Sequence, residues 1–252
     1  MDRVLPTDVQ TIIYRFRSPE GWVREFRVEL EKPSLKLRPP AADKPLPAWT
    51  ALEHHQCANC PLAPGHDARC PVAANLVPVI DAFRRVLSHE ESDVEVETPS
   101  RTYSARVKNT LAVGSLMGIY MATSGCPIMD RLRPMVLTHT PFPTVEESTF
   151  RSMASYLMAQ YFLHRSGGEA DWELAEFPDF YDQIATVNQY FVKRLSTATE
   201  RDASLNAVVF LNCFAAATQR TVARERFGEF EALFSAFLGD WKAAEIKPDR
   251  RT

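Results

Sequence analysis

Glycine is scarce in this chain, at 9 of 252 residues against 18 prolines. That balance excludes long glycine-rich linkers and points to stiff turns. Long hydrophobic runs are also missing. The longest weakly polar stretch, about residues 111–123, falls short of the roughly 18 apolar residues of a membrane span and contains Gly114 and Ser115. Charge of one sign is not in excess: 29 Lys and Arg oppose 32 Asp and Glu, a net of −3, and both signs are interleaved along the chain. The basic footprint of a nucleic-acid binder and the polybasic patch of a membrane-surface protein are therefore excluded, and neither partner is expected. The opening residues lack a basic segment followed by an apolar run, so no signal peptide is expected and the cytoplasm is the expected compartment. No P-loop, GxGxxG, nucleophile elbow, HExxH or kinase signature is present, so no catalytic residue can be named. What is there is ordinary globular composition, 45% apolar and 24% charged, enough for a buried core.

Apolar periodicity divides the chain. Ile12, Tyr14 and Phe16, then Phe26, Val28 and Leu30, alternate with charged residues across the turn Ser18-Pro19-Glu20-Gly21, the pattern of a β-hairpin. Val94 and Val96, then Tyr103, Ala105 and Val107, repeat it around Thr98-Pro99-Ser100. Two hairpins predict one antiparallel sheet with a buried face. A proline-rich linker, residues 33–48, and a cysteine segment lie between them. A helix bearing Leu76, Ile80, Phe83 and Leu87 follows, with Pro78 expected in its first turn.

Beyond residue 110 the period becomes helical. Thr144-Val145-Glu146-Glu147 has the form of a capping box and predicts a helix with Phe150, Met153, Leu157, Tyr161 and Phe162 on one stripe. Phe180, Ile184, Val187, Phe191 and Leu195 mark the next helix. Residues 203–217 are apolar nearly all round and read as the central buried helix, with Cys213 as a core filler. Phe227, Phe230, Phe234, Phe237 and Trp241 mark a last one. The fold class is α+β, with a hairpin region over residues 1–110 and a helical domain over 111–252, possible also as one fused unit.

The chemistry lies in the five cysteines. An odd count in a reducing compartment argues for free or metal-bound thiols rather than disulfides. Cys57, Cys60 and Cys70 form C-x2-C-x9-C, a spacing that lets two sulfurs meet across a tight turn and the third return to them. A fourth ligand is supplied either by Cys126, in Ser124-Gly125-Cys126-Pro127, or by His66 inside the loop, as in a zinc knuckle. Cys126 is preferred because Cys60, Cys70 and Cys126 share the Cys-Pro step. A proline in the first turn of a following helix would aim amides at the sulfur and lower the thiol pKa. Asp130, Arg131, Arg133 and His139 follow Cys126, and are read chiefly as pairing or surface charges. Met117, Met121, Met129 and Met135 read as packing.

The segments HQC-x2-CPL at 55–62, CPVA-x-NL at 70–76 and SGCP-x-x-D-x-LRPM at 124–135 resemble those of an uncharacterised bacterial family known only as a domain of unknown function. The resemblance extends over most of the chain and implies no activity. Three functions compete. One is a cytoplasmic metalloprotein holding an iron–sulfur cluster or zinc on Cys57, Cys60, Cys70 and Cys126. Another is an enzyme whose three-cysteine metal site keeps an open position, with His66 or His139 moving protons. The third is a helical interaction module that uses a structural zinc only to fold.

Overall fold

Alternation in the first hairpin places Ile12, Tyr14 and Phe16 of β1 (Val9–Arg17) beside Phe26, Val28 and Leu30 of β2 (Val23–Glu31) on one buried face. The computed structural model describes residues 8–38, 45–66, 68–223 and 227–238. A two-residue strand, β3 (Lys36–Leu37), pairs with β2 inside the stretch read as linker. After α1 (Pro71–Phe83), the second hairpin, β4 (Glu91–Thr98) and β5 (Arg101–Lys108), docks through β4 onto β1. The antiparallel sheet therefore runs β3-β2-β1-β4-β5. Its other face is solvated, where Arg15 bridges Glu25, Glu95 and Glu97 at 2.8–2.9 Å.

Helices cover the apolar face. Phe83 of α1 sits against the rings of Phe16 and Phe26, with centroids 5.0 and 5.5 Å away. Pro78 does not open this helix but lies inside it, because Pro71 already occupies the start. An interior proline leaves the carbonyl four residues back without its amide. Burial of Leu76, Val79, Ile80 and Phe83 offsets that loss. Of the expected stripe, Leu87 lies beyond the helix, and Val86 is buried in the turn that follows it.

The remaining helices are α2 (Asn109–Thr123), α3 (Pro134–Leu137), α4 (Val145–Arg165), α5 (Phe177–Leu195), α6 (Ala203–Ala223) and α7 (Gly228–Leu233). The central buried helix is α2, not α6. Its Ala112, Val113, Leu116, Met117, Ile119 and Met121 are buried on every side. α6 lies over it and exposes Val209 and Cys213, so Cys213 is a surface thiol rather than a core filler. Close approach of the two helices runs through Gly114, where an added Cβ would already stand 3.5 Å from the Ala207 carbonyl oxygen.

The capping box of α4 forms as expected, with Thr144 and Glu147 bonded reciprocally. Its expected stripe is only partly buried, Met153 and Leu157 packing against the core. Ser148, Thr149 and Ser152 face inward, whereas Phe150, Tyr161 and Phe162 are largely exposed. Small hydroxyl side chains allow close packing, and Thr149 meets Thr218 of α6 at 3.1 Å. Phe150 instead meets Phe230 and Phe234 at the chain's last described helix. Trp241 lies outside the described residues. α5 buries its whole expected stripe, Phe180, Ile184, Val187, Phe191 and Leu195.

Sheet and helices are joined by a polar contact. Tyr14 Oη and His139 Nε2 share a hydrogen bond of 2.6 Å. Burial, assisted by the Arg151 charge, pulls the His139 pKa from 6.5 down to about 3, so the ring is neutral in the fold. The unfolded chain takes up this proton below 6.5 and the folded one does not, so His139 favours folding fully above 6.5 and progressively less as pH falls towards 3. Between about pH 7.5 and about pH 5, wild type should lose up to about 2 kcal/mol relative to His139→Gln. Urea unfolding of both proteins at the two pH values checks this; carboxylate titrations cancel in the difference, and parallel declines would contradict it.

Candidate functional site

The first two thiols sit in a turn built for convergence. The Cys60 amide donates to the Cys57 carbonyl at 3.0 Å. Their loop is closed at its base by antiparallel pairing: the Cys70 amide donates to Thr50 O at 2.9 Å and the Leu52 amide to Ala68 O at 3.2 Å. Asn59, between the two cysteines, donates to the Gln183 carbonyl on α5 at 2.9 Å. Cys70 is the residue immediately before α1, with Pro71 at the first helical position.

Cys126 arrives from the far end of α2. Gly125, at φ +90°, turns the chain back after Ser124, a conformation that a side chain would strain. Asp130 locks the turn by accepting from the Gly125 amide at 2.9 Å, and it pairs with Arg133. Asn75 of α1 donates both to Pro71 O at 2.9 Å and to Ser124 O at 3.2 Å. One side chain thereby ties the segment carrying Cys70 to the segment carrying Cys126.

All four thiols are close enough to act on one another. Burial pushes the Cys57 thiol up to about 12, and Cys70, Cys60 and Cys126 add to the rise. Cys70 and Cys126 are raised as well, again chiefly by burial. Amides of Ala73 and Val72 at Cys70, and of Met129 and Ile128 at Cys126, act in the opposite direction. At Cys70 they do so without completing a side-chain capping hydrogen bond. The expected amide effect is therefore present, but the expected net lowering of the thiol pKa is overturned, because desolvation outweighs it.

A residue not singled out by the sequence stands beside them. Arg194 on α5 is only 2% exposed. It donates to the carbonyls of Trp49 at 2.7 Å, Ala51 at 2.6 Å and Leu52 at 3.1 Å, in the 3-10 turn and bridge residue that lead into the cysteine loop. Burial lowers its pKa, while Cys70, Cys57 and Cys60 push it back up. A signal for it existed: Arg194 is three residues after Phe191 and seven after Val187, on the apolar stripe of its helix.

His66 lies on an exposed turn. His54 bonds Thr197 at 3.0 Å and stacks edge-on against His55. Arg131 lies over the Phe180 ring and donates to Gln183, and Arg133 pairs with Asp130, so both are occupied as the sequence suggested. Met117, Met121 and Met129 are core residues. Among the described residues, no group of three or more His, Cys, Asp and Glu side chains is gathered closely enough to hold a metal ion outright. No described helix is long and apolar enough to cross a membrane.

Fold and site together define an α+β protein in which four free cysteines from three segments influence one another electrostatically. The chain belongs to the family described as Domain of unknown function (DUF6901), whose model matches residues 12–235. No curated protein and no solved structure matches it.

Proposed function

We propose that the protein is a cytoplasmic metalloprotein in which Cys57, Cys60, Cys70 and Cys126 hold an iron–sulfur cluster. The observation that carries this reading is that Cys57, Cys60, Cys70 and Cys126 are free and act on one another electrostatically, with the buried Arg194 within reach of the first three. Neutral thiols in a dry setting have little reason to collect; thiolates on a metal do, because the ion supplies the charge that desolvation otherwise opposes. A cluster of net negative charge would sit against Arg194 and accept hydrogen bonds at its sulfurs from the amides after Cys70 and Cys126. A cluster also asks less convergence of its ligands than zinc, whose four sulfurs lie within about 4 Å of one another.

Anaerobic purification followed by iron, sulfide and zinc analysis and an absorption spectrum tests the proposal. The expected result is a coloured protein with stoichiometric iron and sulfide. Cys126→Ser and, separately, Cys57→Ser should weaken retention by more than about ten-fold. His66→Ala and Cys213→Ser should retain the metal. A colourless protein with one zinc would replace the cluster by a structural zinc on the same residues. Absence of metal even after reconstitution, or full retention by Cys126→Ser, would overturn the site.

A further inference from the structure

A second site lies within the helical half, separate from the thiols and independent of any metal. A cavity of about 170 Å³ opens between α2, α4, α5 and α6. Its walls are mostly apolar, with Ile119, Met121, Ile184, Phe210 and Phe214 among them. Two polar side chains in that wall are not satisfied. Asn188, only 2% exposed, has a buried Oδ1 without a partner. Arg151 donates from Nη2 to the Met135 carbonyl at 2.6 Å, but its buried Nε has no acceptor.

The charge at this wall is also uncompensated. Among the described residues no carboxylate forms a salt bridge with Arg151. Glu147, the carboxylate that acts on it electrostatically, is held in the capping box, where it accepts from the Thr144 amide at 2.8 Å. His139 lines the same cavity and, being neutral, adds no second cation. An unpaired guanidinium in an apolar enclosure is costly, and the natural remedy is an anion that brings its own apolar body. Tyr181 and Asn188 lie seven residues apart on α5, about 10 Å along the helix, so the cavity is elongated. Its volume is close to that of a cavity known to admit a benzene ring, which limits an occupant to about six to eight carbons.

We infer that this cavity binds a small apolar monocarboxylate, with the carboxylate on Arg151 and the hydrocarbon along the glycine-containing face of α2. Asn188 Oδ1, a buried acceptor without a partner, can take a hydrogen bond from a hydroxyl or N–H substituent at the other end of such a ligand.

Protein carrying ¹³C-methyl methionine tests this in the full chain, since Met121, Met129 and Met135 line the cavity and Met117, Met153 and Met158 do not. Titration with benzoate, hexanoate and the neutral benzyl alcohol is the measurement. Saturable shifts confined to the three lining methyls are expected for the carboxylates, with benzoate binding about ten-fold or more tightly than benzyl alcohol. Arg151→Met keeps the apolar stem and should abolish that preference while still admitting benzyl alcohol. No saturable shift, shifts spread over all methyls, or equal affinity for benzoate and benzyl alcohol in the wild type would overturn the proposal. The wild-type comparison stands by itself if Arg151→Met does not fold.

Discussion

Arg194→Ala should destabilise the protein by about 3–5 kcal/mol, since it removes a buried guanidinium and takes a donor from three carbonyls, of which only Ala51 O keeps another, the His54 amide. The guanidinium is the link by which α5 holds the Trp49–Leu52 segment, and that segment forms the base of the cysteine loop. The loss should therefore be largest around residues 48–70, where amide hydrogen exchange should quicken even under native conditions. Arg194→Lys tests whether charge alone suffices. A lysine ammonium carries the charge but cannot present a planar fork to carbonyls of three residues, so most of the destabilisation should persist. Urea denaturation gives the magnitude and hydrogen exchange the location. Stability within about 0.5 kcal/mol of wild type in Arg194→Ala would show that the loop is held by other contacts.

The second large effect is expected at Phe83. Its ring is fully buried and meets Phe16, Phe26 and Trp22, with centroids 5.0, 5.5 and 6.2 Å away. The Arg24 guanidinium lies over both Trp22 and Phe83, at 3.9 and 5.0 Å from the ring centres, and its Nη1 has no hydrogen-bond partner. Phe83→Ala thus opens a cavity between sheet and α1 and strips one aromatic face from a partly desolvated cation. A cost of about 3–5 kcal/mol follows, lowering Tm by about 6–20 °C for a chain of this size. Phe83→Leu retains most of the volume and should cost about half as much or less. Thermal and denaturant unfolding of the two variants checks both the size and the order of the effects. An equal loss in both would assign the effect to the ring contacts rather than to the cavity.

Much of the secondary structure was legible because it depends on near neighbours. Alternation in residues 12–16, 26–30, 94–96 and 103–107 specified strands, and Thr144 with Glu147 specified where α4 begins. Pro78 reads as a first-turn proline from its local sequence, but Pro71 already fills that position and Pro78 lies inside α1. The aromatic stripe of α4 misled in a different way. Hydropathy identifies which residues gain from burial, but the helix also packs through the small side chains of Thr149, against Thr218 of α6, and Ser152, against Met135. Cys213 is exposed for a related reason: an apolar run does not show which face of α6 stays open to solvent.

By itself, the sequence determined the α+β class, the two hairpins, the capping of α4 and the tight Cys57–Cys60 turn. Each rests on hydrogen bonds or side-chain alternation within a few residues, which a linear pattern records directly. Tertiary structure alone decided that α2 is the centre, that Asn75 ties the Cys70 and Cys126 segments, and that Arg194 stands beside the thiols. It alone enclosed Arg151 and Asn188 in an apolar wall. Those features depend on which face of each helix finds a partner from a remote part of the chain, and the free energy of that choice belongs to the packed ensemble of faces rather than to any one segment.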